Sequence, residues 1–376
     1  MSAPPRPPVV APPPSRSPWQ RLYAAAHRRR AARWSARADR LAVPVWSVGN
    51  LHWGGTGKTP VVAAIAAWLH ERGVAVAVLS RGYGRRGGGP LVVSAGAGPL
   101  VTPERAGDEP WLLADTLPEV PVAVAAQRVD AARLLLATLP AAPQLFLLDD
   151  GFSHLELHRD LDLLVLPDDD PFGGGRLLPS GRLREPLASA ARAHALLLTG
   201  EASTPERARE VGVALAVHGF AGSAFACTTQ PQPPRLVRST RAETDAATAS
   251  PIASSQLAKW GERAPTVASL AAPPGPLLLV TGIARPERVR RAASAAGIAI
   301  ADHLTFPDHH AYPPRSVRLI ARAAAKTGAA GVLTTAKDRV KLAGILPLPL
   351  WELPVAATPE PAFWDWLAAR LPAPRP

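Results

Sequence analysis

Four separated stretches hold the residues whose types and spacing suit chemistry. The first, Gly54-Gly55-Thr56-Gly57-Lys58-Thr59, is a glycine-rich turn closed by a lysine and a hydroxyl. Its backbone N–H groups can close round a phosphate with no Cβ in the way. Lys58 can reach β- and γ-phosphates, and the Thr59 hydroxyl can ligate Mg²⁺. The second, Asp149-Asp150, ends the apolar run 145–148. Carboxylates at such a strand end hold Mg²⁺ opposite the lysine and threonine in phosphoryl-transfer sites. Adjacent carboxylates on a strand point to opposite faces, so one can face the metal while the other works through water or a neighbour. The third, Asp108-Glu109, precedes the apolar helix start Trp111-Leu112-Leu113, and Asp108 alone reads as an N-cap. The fourth, residues 306–312, carries Asp308-His309-His310. Adjacent histidines diverge, and no third metal ligand is evident. Two glycine-arginine loops, 80–86 and 171–186, add candidate phosphate clamps.

The elements that must position these groups follow from hydrophobic pattern. An apolar run at 43–48 reads as a strand feeding the glycine turn, and a helix starts at Thr59 with Pro60 in its first turn. That helix aims the positive end of its dipole at the turn. The pattern G-x-x-x-x-G-K-[ST] asks for glycine at position 52, where this chain has His52 followed by Trp53, but the strand–turn–helix context is the required one. Short buried strands are expected at 74–79, 120–125, 145–148, 163–166, 195–198, 277–281 and 331–334, with helices at 129–139 and 315–327. Strands alternating with helices predict an α/β fold with a mainly parallel sheet and ligands at the strands' carboxyl ends.

At 376 residues and 47% hydrophobic content the chain can bury a large core. Its formal charge of +12 favours anionic partners, namely nucleic acid, acidic lipid or a phosphorylated substrate. The single cysteine, Cys227, excludes an intramolecular disulfide and a Cys-based zinc site. No apolar run approaches transmembrane length. Residues 1–18 read as a disordered proline-rich tail. Residues 19–40 read as a basic helix suited either to an acidic membrane surface, with Trp19 and Tyr23 as anchors, or to a solvated face leaning on the domain. A nucleic-acid binder would need aromatic-basic stacking platforms, which the scattered tryptophans do not make. A P-loop switch or metallochaperone GTPase acting on a protein partner would need a guanine-reading N-K-x-D motif, to which Ala336-Lys337-Asp338 is the nearest approach.

The ordered set of motifs resembles the tetraacyldisaccharide 4′-kinase family: VGN…GGTGKTP at 48–60, SRGYGR at 80–85, GDEP at 107–110, LLDDGF.H at 147–154, RDLDL at 159–163, GRLLPSGRLREP at 175–186, GI..P at 282–286, F.DHH.Y at 306–312 and TT.KD..KL at 334–342. The resemblance implies a P-loop NTPase-like parallel sheet flanked by helices, with a smaller C-terminal α/β portion closing over the site. It divides the chain into a tail (1–18), a membrane-facing helix (19–40), a kinase domain (41–230), a linker (231–275) and the C-terminal portion (276–376). It implies ATP and Mg²⁺ as cofactors, with His52, Trp53, Gly54, Gly55, Thr56, Gly57, Lys58 and Thr59 forming the nucleotide loop. Thr59, Glu109, Asp149 and Asp150 would surround the metal. Asp108 matches the family's general base and His309 its partner, with Lys58 completing the catalytic set and Arg128 near phosphates. The expected acceptor is an acylated glucosamine disaccharide 1-phosphate, phosphorylated at its 4′-hydroxyl to lipid IVA on the cytoplasmic face of the inner membrane. Neither nucleic acid nor an obligate protein partner is implied. The chain departs from the family's usual residues at Ser153 (Gln), Gly174 (Asn), Gln127 (Asp) and Ala336 (Glu). His52 in place of the pattern's first glycine is shared with the family.

Overall fold

The computed structural model describes residues 9–13, 17–35, 37–237 and 273–372. In chain order the elements begin α1 (Pro18–Ser35), β1 (Val45–Gly49), α2 (Lys58–Glu71), β2 (Val76–Ser80), β3 (Leu91–Ser94), α3 (Pro103–Ala106), α4 (Asp108–Thr116), β4 (Val122–Val124), α5 (Arg128–Thr138), β5 (Leu145–Asp149), β6 (Leu161–Pro167), β7 (Ala195–Gly200), α6 (Pro205–Ala216) and β8 (Ser223–Pro231). They continue with β9 (Arg235–Val237), β10 (Leu277–Thr281), α7 (Pro286–Ala295), β11 (Ile300–Thr305), α8 (Pro314–Thr327), β12 (Gly331–Thr335), α9 (Ala336–Leu342), β13 (Leu350–Leu353), β14 (Val355–Pro359) and α10 (Pro361–Ala368). The chain divides into two compact units, one of Met1–Arg81, Ala125–Thr229 and Ala357–Pro376, the other of Gly82–Val124 and Gln230–Ala356.

In the first unit the strands run in the order β8-β7-β6-β1-β5-β2, every neighbouring pair parallel. The central strands are apolar and buried along their whole length, as a sheet covered on both faces requires. Helix α2 packs on β1, β2 and β5. Its buried face of Val61, Val62, Ile65, Ala66, Trp68 and Leu69 follows helical spacing. Full burial of each large side chain contributes about 1.5–3 kcal/mol. Val48 of β1 pairs with Asp149 of β5 on one side and with Leu163 of β6 on the other. The glycine turn after β1 and the Asp149-Asp150 pair after β5 therefore leave the sheet at one edge.

The second unit holds the antiparallel pair β3–β4 and a five-stranded sheet of order β11-β10-β12-β13-β9, in which only β9 is antiparallel. Leu278, Val280, Tyr312, Ile320, Val332 and Leu342 form its core. Arg339 of α9 pairs with Asp115 of α4 and Glu352 of β13.

These boundaries differ from the sequence expectation in particular places. Residues 82–124, expected inside 41–230, group with 230–356. The Arg339–Asp115 pair spans 224 residues, and no local pattern announces such a pairing. Residues 9–13, expected in the tail, are packed: Val9 and Ala11 lie against the core around Phe172 and Leu177, and the Pro12 carbonyl is 3.1 Å from His218 Nε2. Residues 1–8 and 14–16 lie outside the described residues, as do 238–272 of the expected linker. Helix α1 ends at Ser35 rather than at 40.

Candidate active site

The glycine turn is built from both sides of β1. Gly57 has φ 82°, a left-handed value that a side chain would oppose, and it starts α2 with no side-chain cap. The first-turn N–H groups of α2 are thus left for an anion. Thr56 is 2% exposed, and its hydroxyl accepts a hydrogen bond from Asn50 Nδ2 at 2.7 Å. Its carbonyl accepts one from Thr199 Oγ1, at the end of β7, at 2.8 Å. A Cβ added at Gly55 would meet nothing within 4 Å, so that side of the loop is open. His52 is buried, with Nε2 3.0 Å from the Asp170 carbonyl, while Trp53 exposes its ring and donates its backbone N–H to Arg182. These two therefore brace the loop against residues 170–183, and the open part begins at Gly54.

Asp149 and Asp150 separate as adjacent strand-end residues must. Asp149 is 4% exposed and accepts from Ser80 Oγ at 3.2 Å. Asp150 has φ 53°, an uncommon conformation for a residue other than glycine, and turns to a cluster of cations. Lys58 Nζ lies 3.6 Å from its carboxylate, and Arg184 grips both oxygens. Partial burial would raise this carboxyl, but the Lys58 charge and the Arg184 hydrogen bond hold it well below the usual range. Arg128, 4% exposed at the start of α5, adds to the cluster, and burial pulls its guanidinium down to about 10 against the attraction of Asp150. Its backbone N–H donates to His154 Nε2 at 3.3 Å. Sequence reading singled out the arginines of 176–184 only as general phosphate clamps. The Arg184–Asp150 pair was not foreseen, because it joins residues 34 apart on two loops.

In the second unit, Asp108 does not cap a helix. Gly107 is the N-cap, with φ 93°, and a Cβ there would lie 3.2 Å from the Gly82 backbone. Asp108 is left free to point elsewhere. Its Oδ2 lies 3.3 Å from His309 Nδ1 and 2.7 Å from Lys341 Nζ. Burial alone would raise the carboxyl, but the hydrogen bonds from His309 and Lys341 and the nearby lysine charges bring it below the usual value. Lys337 Nζ lies 3.0 Å from His309 Nε2. An ammonium has only protons to offer, so Nε2 accepts and Nδ1–H donates to Asp108. His309 has φ 60° and packs on Tyr83, with ring centroids 5.3 Å apart. His310 diverges, as expected, to Ser316 Oγ at 2.9 Å. Glu109 pairs with Lys337 at 3.1 Å. Asp338 is fully buried and accepts from the Gly282 N–H and the Thr335 hydroxyl, both at 2.9 Å. It ties loops together and is not presented to a nucleotide base. Among the described residues no three His, Cys, Asp or Glu side chains converge as a metal cage.

The tetraacyldisaccharide-1-P 4′-kinase family profile matches residues 16–372. The chain belongs to this family. A tetraacyldisaccharide 4′-kinase of Chromobacterium violaceum is 38% identical over 355 residues, covering 93% of this chain and 90% of that protein. One from Desulfatibacillum aliphaticivorans is 35% identical over 347 residues, covering 87% and 83%. A solved structure of LpxK from Aquifex aeolicus in complex with ATP is 30% identical, with a TM-score of 0.66, and covers 94% of this chain and 97% of that one. The expected fold class, a helix-flanked parallel sheet of the P-loop type with a smaller α/β portion, is the one observed. At the position where this 4′-kinase family was expected to carry Gln, Ser153 donates its hydroxyl to Glu185.

Proposed function

We propose that the chain transfers the γ-phosphoryl group of ATP to the 4′-hydroxyl of an acylated glucosamine disaccharide 1-phosphate. Lys58 and the N–H groups of 54–59 hold the nucleotide phosphates. Mg²⁺ fits the donor set beside them: the Thr59 hydroxyl and the Asp149 carboxylate are hard oxygen ligands, while Asp150 is already engaged by Lys58 and Arg184. Asp149 would therefore be the direct ligand, while Asp150 holds Lys58 and Arg184. When bound, the metal neutralises phosphate charge. Glu109 pairs with Lys337.

Asp108 takes the 4′-hydroxyl proton as the new oxygen–phosphorus bond forms and the bond to the β-phosphate oxygen breaks, releasing ADP. His309 orients Asp108 through Nδ1–H, and Lys337 fixes that tautomer. The observation that carries this reading is the Asp108–His309 pair, with Asp108 kept ionised and turned away from the helix end it would otherwise cap. The reading predicts label from γ-labelled ATP on the acceptor's 4′-position, with ATP strongly preferred over GTP. Transfer to the 1-phosphate, or equal use of GTP, would refute it.

The acceptor's acyl chains favour a reaction at a membrane surface, and ATP as donor favours the cytoplasmic side of the inner membrane. Among the described residues no helix is long and apolar enough to cross a membrane. Helix α1 exposes Trp19 (54%) and Leu22 (64%) among its arginines, which suits peripheral binding to anionic headgroups. Replacing Trp19 and Leu22 by alanine should release the protein from anionic vesicles. Retention would refute the assignment of α1 as the anchor.

A further inference from the structure

The outward face of α1 does not explain its inward face. Gln20, Tyr23, His27 and Arg30 recur at spacings of three and four and form one stripe along the helix. Gln20, 5% exposed, donates from Nε2 to Ser180 Oγ at 3.0 Å. Tyr23 Oη donates to the Arg184 carbonyl at 3.0 Å. His27 Nε2 lies 3.3 Å from Glu185 Oε2, and Arg30 lies 2.8 Å from Glu156 Oε1. A stripe of apolar residues would seat a helix on its domain. Here Tyr23 does pack on the core around Phe172 and Leu177, but every member of the stripe also carries a polar group, and each meets a loop that leads to the Asp149-Asp150 cluster.

Two short routes can be traced. Tyr23 and His27 hold residues 184 and 185, and the Arg184 side chain grips Asp150, the neighbour of Lys58. Glu185 is 2% exposed and also accepts from Arg192 at 2.8 Å and from Ser153. It is thus a fixed point against which His27 can set the loop. The second route runs from Arg30 to Glu156, which lies 3.2 Å from His154 Nδ1. The other ring nitrogen of His154 accepts the Arg128 N–H that starts α5. The first route ends at the Arg184 guanidinium on Asp150, the second at the backbone of Arg128, whose guanidinium feels the charge of both aspartates.

We propose that Tyr23 and His27 are positioning residues for phosphoryl transfer, acting through Arg184. On this view α1 is a strut for the nucleotide site as well as a surface anchor. The proposal rests on the kinase reading above. Displacement of a charge-stabilising arginine by a fraction of an ångström lowers turnover without removing substrate binding. A residue acting only as membrane anchor would instead alter the apparent affinity for the lipid acceptor.

The test compares wild type with Tyr23→Phe, His27→Leu, His27→Gln and Arg184→Ala, and with the double variant His27→Leu/Arg184→Ala. Steady-state transfer from ATP, binding to anionic vesicles and thermal unfolding are measured on each full-length protein. Wild-type transfer is the control for the kinase reading itself, so loss of that reading is seen separately. Tyr23→Phe and His27→Leu are expected to lower kcat by about tenfold with vesicle binding and lipid KM unchanged. His27→Gln, which keeps a side-chain N–H for Glu185, should recover most of the loss. In the Arg184→Ala background His27→Leu should cost nothing further. Full multiplication of the two losses, or an effect confined to lipid KM and vesicle binding, would overturn the proposal. Tyr23→Phe removes a single oxygen, so its kcat decides the question even if His27→Leu fails to fold.

Discussion

His309 Nδ1 lies 3.3 Å from Asp108 Oδ2, joining a helix start to a loop 201 residues later in the chain. Lys341 shares the same oxygen at 2.7 Å; burial would raise the Asp108 carboxyl, but these hydrogen bonds together with the Lys341 and Lys337 charges bring it below the usual value. A depressed carboxyl stays ionised to lower pH, so its activity is lost only as pH falls through that lowered value. Lys341→Met removes a charge that favours the ionised form. The acid limb of kcat/KM should then move to higher pH, measured between about pH 4 and 8. An unmoved limb would mean that Lys341 does not tune the base.

Lys58 lies beside Asp150, which retains Arg184 when the lysine is lost. Lys58→Ala should therefore lower turnover by about 10²–10³ while changing unfolding stability by less than about 1 kcal/mol. Parallel assays of transfer and thermal unfolding check both parts.

Burial, reinforced by the Arg128 charge, lowers the His154 imidazole to about 4. Above about pH 6.5 the ring is neutral in folded and unfolded chains alike, and it adds no pH dependence. Below that the unfolded chain takes up a proton that the folded one refuses, so stability falls as pH drops from about 6.5 towards 4. The full effect is on the order of 3 kcal/mol. His154→Gln should flatten this part of the stability–pH curve in denaturant titrations, whatever it costs at neutral pH.

Arg339 is 3% exposed and holds Asp115 on α4 and Glu352 on β13. Arg339→Met leaves two nearly buried carboxylates facing each other without their cation. A loss of about 3–5 kcal/mol is expected, with α4 and Asp108 loosened. Hydrogen exchange in 108–116 should rise before global unfolding.

Much of the first unit was legible because its strands are buried on both faces and read as short continuous apolar runs. The starts of β1, β5 and β7 lie within two residues of expectation. β8 and β11 were missed because their exposure is mixed and neither pattern dominates. The glycine turn, Lys58 and the paired aspartates stood out because phosphate chemistry constrains residues close together in sequence. Asp108 and His309 stood out singly but not as a pair, since their pairing depends on two distant segments, and its place before an apolar helix start made Asp108 read as a cap. Resemblance to a family supplied that pair. Arg184, Lys337 and Lys341 were visible only as basic residues until their partners were in place.

The most direct test uses the acylated disaccharide 1-phosphate, γ-labelled ATP and Mg²⁺, comparing wild type with Asp108→Asn. The substitution keeps the size of the side chain and its contact with His309 but removes the base. Turnover should fall by about 10²–10⁴ with ATP binding and thermal stability close to wild type. Turnover equal to wild type would contradict the assignment of Asp108 as the group that activates the 4′-hydroxyl.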